Sequence, residues 1–337
     1  MERRRDPVEQ KAGDSVDLYD VATWDERSSL DGLAVAIYRA LVASTRLFVV
    51  LLALLILVGI GGLSALTDPQ VGMLTLLSAL PALGLAAYVW HSDVTSDEPL
   101  SLLVATFLLG VLTANFAAVL NSFLQGVLSG VGIAGTVLFF YVVVGPVEET
   151  MKLLAVRLYA YGHRSFEAVI DGAVYGAMAG LGFATIENAL YITRNLSASP
   201  VNAGIGLGLI GAGGGITAVR ALAGPGHVIY SAFAGYYLGL AKFNPRNRGP
   251  IVIKGLIIAA LIHATYNATV GVGSALVAIG TGLPQLPSFL VYVVVYDGIF
   301  GLLLLRKIRR YTQTYEQVHE DETVDESAFV SEQTEFE

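Results

Sequence analysis

The sequence predicts an all-α membrane protein, a polytopic bundle of about eight transmembrane helices. Three observations carry that expectation. Of 337 residues, 54% are hydrophobic and 14% charged, with a mean hydropathy of +0.64; a soluble domain carries about 25% charged residues. The apolar residues gather in runs near the ~20 residues that cross a bilayer. The Lys/Arg clusters fall in alternate connections between those runs, as the positive-inside rule requires.

Residues 1–45 are polar, and M-E-R-R-R-D-P-V-E-Q-K is charged for too long to open a signal peptide, so an uncleaved cytoplasmic segment is expected. Within it, L-A-V-A-I-Y-R-A-L-V suits an amphipathic helix on the membrane surface. Apolar runs follow at 47–66, 71–90, 101–121, 132–156, 168–192, 227–243, 251–279 and 288–305, making a transmembrane domain of 46–310. Residues 201–223 are apolar but so rich in glycine that a re-entrant or surface segment is expected rather than a plain span. Eight spans put Arg157, Arg164, the 242–250 cluster and R-K-I-R-R at 306–310 on the cytoplasmic side with both termini. A ninth span would move the last two clusters off it. From 311 to 337 there is no Lys or Arg and much acid, which predicts a disordered cytoplasmic tail.

The absence of cysteine excludes disulfides, thiolate nucleophiles and Cys-based zinc sites, so any metal must be held by His and carboxylate ligands. A net charge of −8 gives no reason to expect a nucleic-acid partner. The bilayer and a membrane-protein substrate are the expected partners.

An ionisable side chain at the centre of a membrane helix costs roughly 2.5–3.5 kcal/mol on insertion scales. The spans nevertheless hold Glu148, Glu149, Lys152, Asp171, Glu187, His227, Lys254, His263 and Asp297. Lys254 lies near a boundary and can snorkel, and Asp297 is explained by a hydrogen bond to a neighbouring helix. Glu148 and Lys152, at i,i+4, are in the favourable order for an ion pair. That accounts for one glutamate only, because adjacent residues point about 100° apart, and Glu149 is then expected to face a site. Glu187 and Asn188 lie deep in the fifth span, whose Gly172, Gly176, Gly180 and Gly182 invite close helix approach. His227 follows Pro225 at an expected helix start or kink, while His263 and Asn267 share a face at i,i+4. A lone membrane histidine more often packs helices; two beside three carboxylates favour a shared cavity.

The motifs carrying these residues resemble the PrsW-like intramembrane proteases. E-E-T-M-K matches E-E-x-x-K, and F-A-T-I-E-N, preceded by D-G-A-V-Y-G, matches F-x-x-x-E-N. H-V-I-Y-S-A-F-A-G is similar to a third family segment, and H-A-T-Y-N to a closing H-x-x-x-N. The resemblance covers roughly 135–270. It implies a membrane peptidase akin to the CAAX prenyl endopeptidases and bacteriocin-immunity proteins. In that group one glutamate of the E-E pair activates water, and the last His/Asn motif binds a metal or stabilises the oxyanion. The prenyl endopeptidases carry His where this chain has Glu187, so that assignment does not transfer.

Two mechanisms fit. In one, His227, His263 and Glu187 hold Zn²⁺ while Glu148 or Glu149 is the general base. In the other no metal takes part: a glutamate takes the proton from water, and His263 with Asn267 donates to the oxyanion. Lys152, Asn188 and Asp171 are supporting residues. Bacterial PrsW-like proteases act on a membrane-spanning anti-sigma factor, which suggests a single-pass regulatory protein as substrate. The alternatives are a catalytically idle scaffold or immunity-type protein and an ion-coupled transporter. No internal repeat relates the halves of the chain, which counts against the transporter.

Overall fold

A computed structural model describes residues 17–59, 67–93, 98–128, 132–198 and 207–334, with a few isolated positions besides. The chain divides into two compact units, Met1–Leu52 and Ala53–Glu337. In the first, a reciprocal cap opens α1 (Ser29–Gly59): the Asp31 amide donates to Ser28 Oγ at 3.1 Å, and the Ser28 amide donates to Asp31 Oδ2 at 2.7 Å. The amphipathic stretch and the first apolar run form one helix, because nothing between them interrupts it.

The second unit is a helix bundle. Its further elements are α2 (Pro69–His91), α3 (Leu100–Leu128), α4 (Gly132–Phe139), a π turn (Phe140–Val144), α5 (Gly145–Leu158), α6 (Val169–Ala198), α7 (Leu207–Phe243), α8 (Arg248–Thr281) and α9 (Gln285–Thr334). Among the described residues six helices are long and apolar enough to cross a membrane. The other two expected spans coincide with the composite rod α4–π–α5 and with α7. Large apolar side chains such as Phe123, Ile257, Val272 and Leu302 remain exposed on the outer helices, as in a protein whose solvent is lipid.

α6 is central. A Cβ at Gly172, Gly176 or Gly180 would collide with the α7 carbonyls of Gly235, Ser231 or His227, and one at Gly182 with Phe107 of α3. Missing side chains thus let backbones touch, the packing that substitutes for hydrophobic attraction in lipid. At Gly145 a Cβ would meet the Ala260 carbonyl at 2.6 Å, so α5 lies directly on α8. Pro146 follows at the second position of α5, and its missing N–H coincides with the π turn that realigns the helix.

Two expectations change. The glycine-rich segment is helical from Leu207 and runs unbroken through Pro225 to Phe243, 37 residues and about 55 Å; residues 201–206 lie outside the described residues. Each glycine costs about 1 kcal/mol in a helix, but Arg220 pins the segment to α6 through side-chain bonds to Glu187 and Asn188. His227 is consequently in a helix interior, not at a start. Beyond Tyr311, α9 runs on to Thr334, with no Gly or Pro after Gly301 in its sequence.

Candidate active site

The geometry begins at the π turn, which sets the rotation of α5. Glu149, fully buried, turns inward: its Oε1 accepts from Lys152 Nζ at 2.6 Å and lies 2.8 Å from His263 Nδ1. The expected pairing is therefore corrected. Lys152 binds Glu149 at i,i+3, and Glu148 faces the cavity instead. Glu148 Oε1 accepts from Asn121 Nδ2 of α3 at 2.9 Å, while Oε2 is buried without a hydrogen-bond partner, 3.7 Å from His263 Nε2.

Lys152 also reaches His227 Nδ1 at 2.9 Å and lies over the Phe183 ring, which stacks on His227. Phe183 and Glu187 are i,i+4 neighbours on α6, so the F-x-x-x-E spacing puts the aromatic floor and the carboxylate on one face. Glu187 Oε2 lies 2.9 Å from His227 Nε2 and accepts from Arg220 at 2.8 Å. Asn188 holds that arginine: its Oδ1 accepts from Arg220 Nε at 2.8 Å, and its Nδ2 donates to Ser78 of α2 at 3.0 Å. The imidazoles of His227 and His263 meet edge to face, 5.2 Å between centroids.

Glu148, Glu187, His227, His263 and Asn267 line one cavity of about 410 Å³, together with Arg220 and Asn121. Asp171 does not join them. It lies sixteen residues before Glu187 on α6, about 24 Å away, where its carboxylate accepts from the Glu167 and Ala168 amides. Asp297 accepts from Tyr230 at 2.8 Å, the helix-to-helix bond expected of it. Sequence reasoning missed Arg220, which lies in the 201–223 segment expected to be re-entrant or on the surface, and Asn121. The signal for Arg220 was present: a buried Glu187 left without a cation by the Lys152 pair.

One donor atom each from Glu148, His227 and His263 lies within 4.8 Å of the others, and all three residues are buried. That is a possible metal centre, with Glu148 in the place expected of Glu187, which is engaged by Arg220. His263 has the arrangement of a ligating imidazole: a carboxylate, Glu149, on one nitrogen and the other turned to the cluster.

The profile described as PrsW family intramembrane metalloprotease matches residues 98–301. The chain belongs to that family. It is 31% identical to the Protease PrsW of Bacillus subtilis (strain 168) over 200 residues, 58% of this chain and 82% of that one. The Protease PrsW of Geobacillus kaustophilus is 31% identical over 58% of this chain and 79% of its own, and that of Halalkalibacterium halodurans 30% over 58% and 83%. No solved structure matches. This PrsW-family chain is thus a multi-pass membrane peptidase of a family described as metalloproteases, and its buried Glu/His cluster lies within the matched region.

Proposed function

We propose that this PrsW-family protein cleaves a single-pass regulatory membrane protein at the cavity between α3, α5, α6, α7 and α8, with Glu148, His227 and His263 as the ligands of a Zn²⁺ ion. Support comes from one observation above the rest: the partnerless, buried Oε2 of Glu148 among two imidazoles. A catalytic zinc with three such ligands activates water and polarises a carbonyl. The chain supplies the rest. Glu149 and Lys152, both buried and bonded to the two histidines, orient the imidazoles. Glu187, partly open to the cavity, takes the proton of the attacking water. The Arg220 guanidinium and the Asn267 amide line the wall as donors to the oxyanion.

A second reading is favoured by one feature. Both His227 nitrogens have hydrogen-bonding neighbours, Lys152 and Glu187, so ion binding requires His227 to release one of them. Without a metal, Glu148 itself takes the water proton and Asn121 steadies its other oxygen. Metal analysis of purified protein, with cleavage of a reconstituted single-pass substrate, separates the two. About one zinc per chain, lost together with activity in His263→Ala, supports the first. Full activity in protein stripped of metal ends it. Full activity in Glu148→Gln ends both.

A further inference from the structure

A second group of buried carboxylates gathers far from the cavity. Asp93 follows the last turn of α2, Glu98 precedes α3, and Asp171 lies in the first turn of α6; they are 8%, 7% and 2% exposed. One oxygen from each lies within 4.8 Å of the others. Burying three carboxylates side by side is costly unless a proton or a cation offsets their charge.

Clustered acids alone do not make a site, but one member keeps an unpartnered oxygen and one further side chain joins the three. Glu98 Oε2 is buried with no hydrogen-bond partner. Tyr175, one turn beyond Asp171 on the same face of α6, is fully buried; its hydroxyl also has no partner and lies in the field of all three carboxylates. The nearby ammonium of Lys242 is occupied elsewhere, donating to the Tyr161 and Phe166 carbonyls at 3.0 and 2.7 Å.

We propose that Asp93, Glu98 and Asp171 bind a hard divalent cation, Ca²⁺ in preference to Mg²⁺, with the Tyr175 hydroxyl facing the ion's water shell. The all-oxygen donor set excludes a soft metal. Three protein carboxylates at one place suit Ca²⁺, which takes about six to eight oxygen ligands in flexible geometry; Mg²⁺ is usually bound by one or two carboxylates and keeps several waters. Such an ion fastens the ends of α2 and α3 to the start of α6, the helix that carries Glu187 and Asn188 at its other end.

The test uses full-length protein in detergent, carrying Glu148→Gln to weaken ion binding in the active cavity, with Tb³⁺ as the probe. Tb³⁺ accepts the oxygen ligands of Ca²⁺ and luminesces when a neighbouring tyrosine is excited. Saturable luminescence at about one ion per chain is expected, displaced by Ca²⁺ and more weakly by Mg²⁺. Adding Glu98→Gln should weaken it about tenfold or more. An unchanged titration in that variant, or no luminescence in its parent, overturns the site. A measurement on the unmutated chain guards against misfolding of the variant: Ca²⁺ should raise its melting midpoint by a few degrees over EGTA. Equal midpoints overturn the proposal and leave a shared proton as what holds the carboxylates together.

Discussion

Glu148 and Glu149 are neighbours in sequence with opposite environments, and substitution should separate them. Glu149 is locked between Lys152 and His263, whereas Glu148 presents a free oxygen to the cavity. Glu148→Gln should keep the fold and lower cleavage at least ~10²–10⁴-fold, the usual scale for such a carboxylate. Glu149→Gln should act on stability as well, because it leaves the buried Lys152 charge unpaired; breaking such a pair costs about 3–5 kcal/mol. Melting midpoints in detergent beside single-turnover cleavage read both. A stable, inactive Glu149→Gln with an active Glu148→Gln would reverse the assignment. Arg220→Lys keeps the charge but loses the planar fork that bonds Glu187 and Asn188 together. Its expected result is a fall in turnover of roughly 10²-fold with little change in melting.

Two helical features bring those residues together. The π turn at Phe140–Val144 rotates α5 so that its two glutamates straddle the contact with α8, and Gly145 lets that contact close. The glycine seam between α6 and α7 does the same for Glu187 and His227. Gly176→Leu drives a side chain into the Ser231 carbonyl, and overpacking of this kind costs about 1–3 kcal/mol. That variant should melt lower and lose activity together, since parting α6 from α7 also parts Glu187 from His227. Gly162, against which a Cβ would meet nothing, serves as control; Gly162→Ala should change neither property.

Across the whole molecule, the even number of spans proposed here puts both termini on the cytoplasmic side. The chain has no cysteine, so single substitutions Ser15→Cys and Ser331→Cys report sidedness without background. Neither should react in intact cells with an impermeant thiol reagent, and both should react after permeabilisation. Labelling of just one from outside would require an odd number of crossings. The proposed orientation also puts the Asp93–Glu98–Asp171 cluster at the cytoplasmic face and the far end of α6 towards the outer half of the bilayer.

Hydropathy and motif spacing are properties of the chain read in order, and they were sufficient for the membrane class, the apolar runs and most of the buried charges within those runs. They also sufficed for Glu187, His227 and His263 as occupants of one cavity, because each sits in an apolar span where an unpartnered ionisable group is costly. Partnership was not legible. Whether Lys152 meets Glu148 or Glu149 depends on about 100° of rotation, and that rotation is set by the π turn and by contact with α8. Arg220 enters the site because α7 extends past Pro225 against α6, a packing outcome that local glycine content argues against. Asp171 leaves it for a reason of length, since sixteen residues of straight helix carry it about 24 Å from Glu187. Sequence alone thus determined most of the ionisable groups that are buried within the spans; helix rotation, helix length and close backbone contact, which act between distant segments, decided which of them meet and brought Arg220 among them.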